Sequence, residues 1–205
     1  MLIGSAHMAR ILSEVNNDPD LREENISGKI YEKLPVFHSE EWKKDNLNLD
    51  HEFTVGYCER TLLESASMGN FTNVMHYLIK AGASVDMKNA NGNTVLHTVS
   101  TIGLEDGVRI LINNNASIDA QDQNNHAPLH LAVANNHVRI VERLIEQGAK
   151  VNICNVEQQT PLHLAVNKEI ENLLLKGGAD PSLKDLSGHT PEYYSMPLSH
   201  FNNCS

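Results

Sequence analysis

Three histidines at equal intervals are the first candidates for chemistry in this sequence. His97, His130 and His163 are evenly spaced along the chain. If the chain folds as a stack of equal units, the imidazoles lie on neighbouring units about 10 Å apart, which is the distance between packed helices. A zinc ion needs its protein ligands within about 2 Å. The spacing therefore predicts structural histidines and no metal site.

The cysteines show neither a catalytic arrangement nor a disulfide pattern. Cys58, Cys154 and Cys204 are scattered without a paired spacing, which is typical of reduced thiols in a cytosol-like compartment. A nucleophilic cysteine needs a base within reach, and no basic cluster lies near Cys58 or Cys154 in the sequence. The glycines occur singly, so no Gly-rich loop could bind phosphate. We therefore predict a protein that is not an enzyme and that holds no cofactor.

Charge and hydropathy narrow the class of partner. The formal net charge of -10 argues against nucleic acid or an anionic membrane surface, because both attract clustered Lys and Arg. No apolar run approaches the roughly 20 residues that a membrane-spanning helix needs. The first eight residues lack the basic and apolar regions of a signal peptide. We expect another protein as the partner and a cytoplasmic location, either in the protein's own cell or in a host cytosol.

An internal repeat organises most of the chain. Similar motifs begin at Thr61, Thr94, Ala127 and Thr160, which are equally spaced, and a fifth begins at Thr190 after a shorter interval. A second marker follows the start at one fixed distance in each of the first three units, at Gly82, Asn115 and Gly148. Chance does not hold two registers over this length, so the sequence predicts a stack of equal units.

The residues of one unit predict two helices and an extended turn. Thr160 followed by Pro161 is typical of a helix start, since threonine caps the helix and proline has no N–H to leave unpaired. Apolar residues at positions 138, 141, 144 and 145 form one helical face. Gly148 is suited to a left-handed helix end, and Asn115 takes the same place one unit earlier.

The motif itself resembles an ankyrin repeat. Residues 127–132 read Ala-Pro-Leu-His-Leu-Ala and are followed by Gly148-Ala149, and residues 160–165 with 178–180 repeat the pattern. The resemblance covers residues 56–194. It implies an all-α ankyrin-repeat solenoid, in which helix–turn–helix repeats of about 33 residues are linked by hairpin-like turns. It also implies that the motif histidine joins helix to turn through hydrogen bonds.

The departures from the repeat define the expected domains. Residues 1–8 are a cloning remnant or disordered, 9–55 form an N-terminal helical extension or cap, 56–196 form the repeat domain, and 197–205 are a tail. The repeat domain has three full repeats, one shortened repeat and a terminal half-repeat. The fourth repeat lacks three residues, which we place near 167–169, where the loss would shorten a helix. The first repeat carries Glu64 where the others have histidine.

The extension has two open interpretations. Ile11, Leu12 and Val15 could face inward from a short helix that ends near Asn16, and a second helix could begin at Ser39. The segment would then cap the first repeat. The alternative is a flexible tail that becomes ordered on a partner.

The resemblance also places the partner-binding positions at the turn tips and first-helix ends, which together form a concave face. We expect a protein–protein interaction module that acts as an adaptor, inhibitor or targeting subunit. The alternatives are a secreted bacterial effector whose extension carries a separate activity and a structural spacer. Asn152, eight residues after Leu144, resembles the sites of the factor-inhibiting asparaginyl hydroxylase. The expected binding residues are Tyr57, Arg60, Met68, Asn91, Asn93, Ile102, Gln123, Asn124, His126, Asn135, Glu157 and Gln159, with Ala90, Thr101, Val156 and Lys168 beside them.

Overall fold

The repeat register folds into pairs of short helices. The structure is a computed structural model that describes residues 5–34, 39, 42–43, 45–55 and 58–195. It divides the chain into two units, Met1–Ser117 and Ile118–Ser205. Both are dominated by helices, so the fold class is all-α, as predicted. Among the described residues the only sheet is a two-stranded hairpin, which the prediction did not include.

The first unit holds the extension and two repeats. In the hairpin, Phe53 pairs with Arg60 in the antiparallel register. The first helices of the two repeats, α3 and α5, pack against each other, and so do the second helices, α4 and α6. Its elements are α1 (Ser5–Asn16), α2 (Ile26–Lys33), β1 (Phe53–Val55), β2 (Cys58–Arg60), α3 (Leu62–Met68), α4 (Thr72–Lys80), α5 (Val95–Ile102) and α6 (Glu105–Asn113).

The second unit holds a full repeat, a shortened repeat and one further helix. First helices again pack on first helices, and α8 packs on α9. The last helix packs on the 3-10 helix, as the first helix of a fifth repeat would. The elements are α7 (Pro128–Ala134), α8 (Val138–Glu146), a 3-10 helix (Pro161–Leu164), α9 (Lys168–Lys176) and α10 (Pro191–Ser195).

The helix boundaries follow the local chemistry that the sequence indicates. Thr61 caps α3, because its Oγ1 accepts the N–H of Glu64 at 3.1 Å. Pro161 is the first residue of the 3-10 helix, directly after the cap residue Thr160. The helix ends predicted at Asn115 and Gly148 are left-handed, with φ of 62° and 87°. These local predictions are confirmed.

The apolar faces point inward, but the buried face of α8 is rotated slightly from the face that the sequence pattern predicts. On α8, Ile140, Val141 and Leu144 are buried, whereas the sequence pattern had included positions 138 and 145. Those two residues are half-buried. The motif leucines Leu129 and Leu162 are 0% and 4% exposed, so each repeat buries its central leucine.

The extension packs on the first repeat. Helix α1 contacts α3 and α4, and Ile11, Leu12 and Val15 are buried on its inner face, as predicted. Asn16 ends the helix and accepts the N–H of Asn73 at 3.0 Å, which caps α4 from outside the repeat. This packing supports the cap over the flexible tail.

Two features of the extension differ from the sequence analysis. Helix α1 begins at Ser5, and Met8 is 1% exposed, so residues 5–8 are helical although they had been set aside as a remnant or as disordered. The sequence also missed α2, a short helix with two buried isoleucines. Ser39 and residues 42–43 have helical backbone, which fits the helix start predicted there. The tail at 197–205 lies outside the described residues.

The three-residue loss falls in the first helix of the fourth repeat. The 3-10 helix has 4 residues and α7 has 7, whereas α8 and α9 have 9 each. A helix is shortened, as predicted, but the site precedes residues 167–169. Asn167 instead caps α9, with its Oδ1 accepting the N–H of Glu169 at 2.8 Å. Because the helix ends early, Val166 is 81% exposed.

Candidate functional site: the turn tips and the framework beneath them

The motif histidine of the second, third and fourth repeats joins its helix to a turn. In His130, Nδ1 accepts the N–H of Ala127 at 3.1 Å, so the proton is on Nε2, which donates to the carbonyl of Gln159 at 3.1 Å. The Nδ1 atoms of His97 and His163 accept the N–H three residues earlier, at 3.1 and 3.0 Å. The hydrogen-bonding role implied by the resemblance is confirmed.

The environment of His130 keeps its ring neutral. Burial lowers the pKa of His130 to about 4, although the hydrogen bond to the carbonyl of Gln159 opposes this. Since both ring nitrogens have backbone partners, the ring braces the repeat and is not poised to transfer protons.

Glu64 performs the corresponding task in the first repeat with a different group. Its side chain is buried, and Oε1 accepts a hydrogen bond from Nδ2 of Asn89 at 3.2 Å. Burial raises the pKa of Glu64, and the hydrogen bond from Asn89 and the charge of Arg60 oppose that rise. The link from first helix to turn is therefore retained, with a carboxylate acceptor where the other repeats have an imidazole.

A side chain at the base of each turn fixes the shape of its tip. Asn155 Oδ1 accepts the N–H groups of Glu157 and Gln159, both at 2.9 Å. The corresponding side chains make the same pair of bonds in the other turns: Asn89, Asp122 and Asp185.

A second ladder of side chains links the ends of successive repeats. Asp119 Oδ1 accepts the N–H of Lys150 at 2.9 Å. One repeat later, Asn152 Oδ1 accepts the N–H of Asp180 at 2.8 Å. Its Nδ2 also donates to the carbonyl of Gly178 at 3.1 Å. Asn152, the predicted modification site, is therefore exposed to solvent, while both its amide oxygen and its amide nitrogen are hydrogen-bonded.

A corresponding ladder in the first unit reaches into the extension. Asp86 Oδ1 accepts the N–H of Ser117 at 2.9 Å, and Asp50 Oδ1 accepts the N–H of Ser84 at 2.8 Å. Asp50 therefore occupies a repeat-like position before the first full repeat. The sequence analysis missed this ladder, although its members Asp86, Asp119 and Asn152 recur at the interval of the repeat.

In the first unit, the predicted apolar contacts are exposed together. Met68 and Ile102 are 42% and 43% exposed, and they end α3 and α5, which pack side by side. Arg60 is half-buried near Glu64. Tyr57 lies outside the described residues.

The predicted asparagines of the first unit differ in their surroundings. Asn91 is exposed at the turn tip, and its N–H donates to Asn89. Asn93 is half-buried, and its Oδ1 is buried without a hydrogen-bond partner among the described residues. Asn91 is therefore open to a partner, while Asn93 lies partly inside the turn.

In the second unit, two predicted residues belong to the framework, by which we mean the side chains that hydrogen-bond the turns to one another and to the helices. His126 Nδ1 lies 3.5 Å from Asp122 Oδ2, and its Nε2 lies 3.3 Å from Asn155 Nδ2. Gln159 Oε1 is 3.3 Å from the same Asn155 amide. Both side chains are half-buried braces within the turns.

The other predicted residues of this unit reach the surface. Gln123, Asn124 and Glu157 are exposed at the turn tips, and Asn135 is exposed at the end of α7. Neighbouring tips are joined, because the N–H of Val156 donates to the carbonyl of Asn124 at 2.9 Å.

The exposed apolar residues of the last turn were missed by the sequence analysis. Leu186 is 71% exposed, and its N–H donates to the carbonyl of Glu157 at 3.0 Å. Tyr193 is 38% exposed and stacks on His189 with ring centroids 3.7 Å apart. The repeat register could have indicated Leu186, because it follows the tip residue Val156 at the same distance as Thr190 follows Thr160. We call Val156, Glu157, Leu186, His189 and Tyr193 the last-turn patch.

The second tyrosine of α10 ties the patch to the framework. The hydroxyl of Tyr194 donates to Asp185 Oδ2 at 2.5 Å. This bond lowers the pKa of Asp185 and raises the pKa of Tyr194. Since Asp185 also fixes the turn, the aromatic rings are held in place before any partner binds.

These features define a class, namely a repeat scaffold with an internally bonded framework and variable exposed tips. The comparison with protein families agrees. The family described as ankyrin repeats (3 copies) matches residues 24–122 and 99–185. These ranges span more than half of the chain, which belongs to the ankyrin-repeat family. The match begins at residue 24, inside the segment assigned to the extension. No curated protein matches the chain.

Ankyrin repeats are generally protein–protein interaction modules and are typically non-enzymatic. In the part of the chain that the structure describes, no group of three or more His, Cys, Asp or Glu residues could hold a metal ion. Among those residues, no helix is both long and apolar enough to cross a membrane.

Proposed function

We propose that this protein binds another protein through its turn tips and first-helix ends, and that it acts as an adaptor, inhibitor or targeting subunit without a catalytic step. The observation that carries the proposal is the exposure of apolar side chains at these positions. Met68, Ile102, Val156 and Leu186 are each more than 40% exposed. They contribute little to the core. Two of them lie in each unit, and exposed apolar groups on folded proteins commonly mark interaction surfaces.

The framework leaves these positions free to vary. His130, Asn155 and Asp185 use their side chains to hold backbone groups of the turns. Each tip has one left-handed residue, which is Gly92, Asn125, Gln158 or Gly188, and its other exposed positions are less restricted. A surface of this kind can therefore change its partner without changing its fold.

The two alternative functions are less well supported. A structural spacer does not require exposed Ile102 or Leu186. An effector activity in the extension would need its own group of catalytic residues, and the sequence offers no such group there. Ile11, Leu12 and Val15 instead pack the extension on the first repeat. Deletion of the extension would expose the core of the first repeat, so point substitutions test this alternative better than truncation.

Site-specific photocrosslinking tests the proposal directly. A photoreactive amino acid placed at Ile102 or Gln123 should crosslink the partner in extract of the source cells. The same group at Arg109 or Arg139, which are exposed on second helices, is the matched control and should crosslink it weakly. Crosslinking from the control positions alone would reject the tips as the binding surface. Crosslinking from Glu24 alone would favour the extension.

We also propose that Asn152 is a hydroxylation site when the protein meets a eukaryotic cytosol. The turn exposes this residue, and its spacing from Leu144 resembles known sites of the modification. Mass spectrometry with fragmentation of the peptide that contains Asn152, Cys154 and Asn155 should locate one added oxygen on Asn152 in protein from such cells. Asn155, a buried turn asparagine of the same repeat, is the internal control. An unmodified Asn152 peptide in cells with active hydroxylase would reject this proposal.

A further inference from the structure

The last-turn patch combines three kinds of surface that recognise different parts of a peptide. Leu186 and Val156 are 71% and 48% exposed and offer apolar contact. Tyr193 stacks on His189, with the two rings inclined by only 7°, and Tyr193 itself is 38% exposed. Glu157 adds an exposed carboxylate at the neighbouring tip. The Leu186 N–H donates to the Glu157 carbonyl, and the Asp185 N–H donates to the His189 carbonyl across the same turn, so these groups border one turn.

The backbone of the tips also forms a ladder that stops at this patch. Asn124 and Glu157 accept the N–H of the following tip, at 2.9 and 3.0 Å. Ser187 occupies the position in the last turn that corresponds to Glu157 in the turn before it. Among the described residues, none donates a backbone N–H to the Ser187 carbonyl. An extended segment could therefore continue the ladder, as peptides do at exposed sheet edges.

Charge and ring chemistry select the side chains of that segment. Glu157 is the exposed carboxylate of the patch, whereas Asp185 is 8% exposed and its carboxylate already accepts the Tyr194 hydroxyl and two turn N–H groups. Aromatic faces next to carboxylates favour Arg and Lys, because the ring quadrupole attracts a cation. We infer that the last-turn patch binds an extended peptide segment of a partner protein, with an Arg or Lys side chain next to an apolar one. This inference rests on the proposed protein-binding function.

Selection from a displayed library of random short peptides on the full chain tests the inference. The enriched peptides should carry Arg or Lys next to an apolar residue. Leu186→Ser should weaken their binding about tenfold, as the loss of a central apolar contact does. Glu157→Gln should weaken it roughly threefold, the scale of one exposed charge pair. Glu142→Gln, which removes the same charge from α8, is the matched control and should leave binding unchanged.

The outcomes separate this inference from the proposed function. If the enriched peptides lack basic residues but bind Leu186→Ser more weakly than wild type, the preference for Arg or Lys is wrong and the proposed protein binding still stands. Basic peptides that bind all variants equally would show general attraction to an acidic chain and would overturn the site. Failure to enrich any peptide, together with crosslinking at Ile102, would overturn the inference alone. Absence of both would reject the proposed function as well.

Discussion

The third and fourth repeats differ by three residues and show which parts of a repeat are fixed. The third has a first helix of 7 residues, and the fourth has a 3-10 helix of 4. Nevertheless, His163 keeps the Nδ1 hydrogen bond that His130 makes, at 3.0 Å compared with 3.1 Å. Both repeats also bury their motif leucine. The loss of almost one helical turn therefore changes the surface and spares the framework.

The loss of three residues changes the surface of the fourth repeat. Behind the 3-10 helix lies a groove of about 290 Å³, lined in part by Leu162, Ala165 and Leu175. Val166, which follows Ala165 in the chain, is 81% exposed. Stability and binding should therefore respond to different residues in this protein, and each prediction below compares such residues.

The largest expected effect is at the buried leucines. Leu129→Ala and Leu162→Ala should each lower the free energy of unfolding by about 2–5 kcal/mol. The loss should be smaller at Leu162, because the groove beside it lets the repeat relax. Urea unfolding measures both. Losses under about 0.5 kcal/mol at both sites, the range of ordinary surface changes, would contradict the packing.

The next effect is a pH dependence that comes from His130. Its folded pKa of about 4 lies below the ordinary 6.5, so the unfolded chain takes up a proton first as the pH falls. Stability is therefore fully present above pH 6.5 and is lost towards pH 4, by up to about 3 kcal/mol. His130→Gln, which keeps an acceptor and a donor but cannot ionise, should flatten this dependence in urea unfolding.

A control distinguishes loss of titration from general weakening. Leu129→Ala should lower stability at every pH and keep the wild-type slope. An unchanged slope in His130→Gln would show that the buried imidazole does not cause the acid sensitivity.

A smaller effect is expected where the ladder joins successive repeats. Asp119→Ala and Asn152→Ala each remove an acceptor for one backbone N–H, at 2.9 and 2.8 Å, and Asn152→Ala also removes the donor to the Gly178 carbonyl. Each should cost about 1 kcal/mol, since such hydrogen bonds are partly exposed to water. Losses of this size at both sites, measured by thermal unfolding, would confirm that the ladder persists across the repeat with the shortened helix. A loss at only one site would contradict it.

The smallest effect is expected at the surface that the deletion creates. Val166→Ser should change the unfolding free energy by less than about 0.5 kcal/mol, because the side chain is already solvated. A loss near that of Leu162→Ala would show that Val166 belongs to the core and that the two repeats differ inside as well as outside.

Much of the framework could be predicted because it depends on local chemistry. Caps such as Thr160 and left-handed ends such as Asn115 follow from residue type. The roles of the histidines follow from recurrence. The site of the deletion could not be fixed, since the register around residues 165–169 admits several alignments that all keep an apolar face inward. Helix α2 was missed because its sequence is polar and contains Gly28.

The binding surface was harder to predict. His126 and Gln159 have the polarity of tip residues, but their contacts with Asn155 become visible only when neighbouring turns are placed together. Leu186 lies in the turn before the terminal half-repeat and Tyr193 lies within it, and the sequence analysis treated this region only as an end. Exposure depends on which neighbours are present, and a sequence pattern does not contain that information.

The most direct test measures stability and binding together in two double variants. Met68→Lys with Ile102→Lys changes the first-helix ends, where a cation suits the helix dipole, and Val156→Lys with Leu186→Lys changes the turn tips. The predicted result is a melting temperature within a few degrees of wild type, with partner binding measured by titration calorimetry lost in at least one variant. Wild-type affinity in both variants would contradict the claim that this protein works through its tips and first-helix ends.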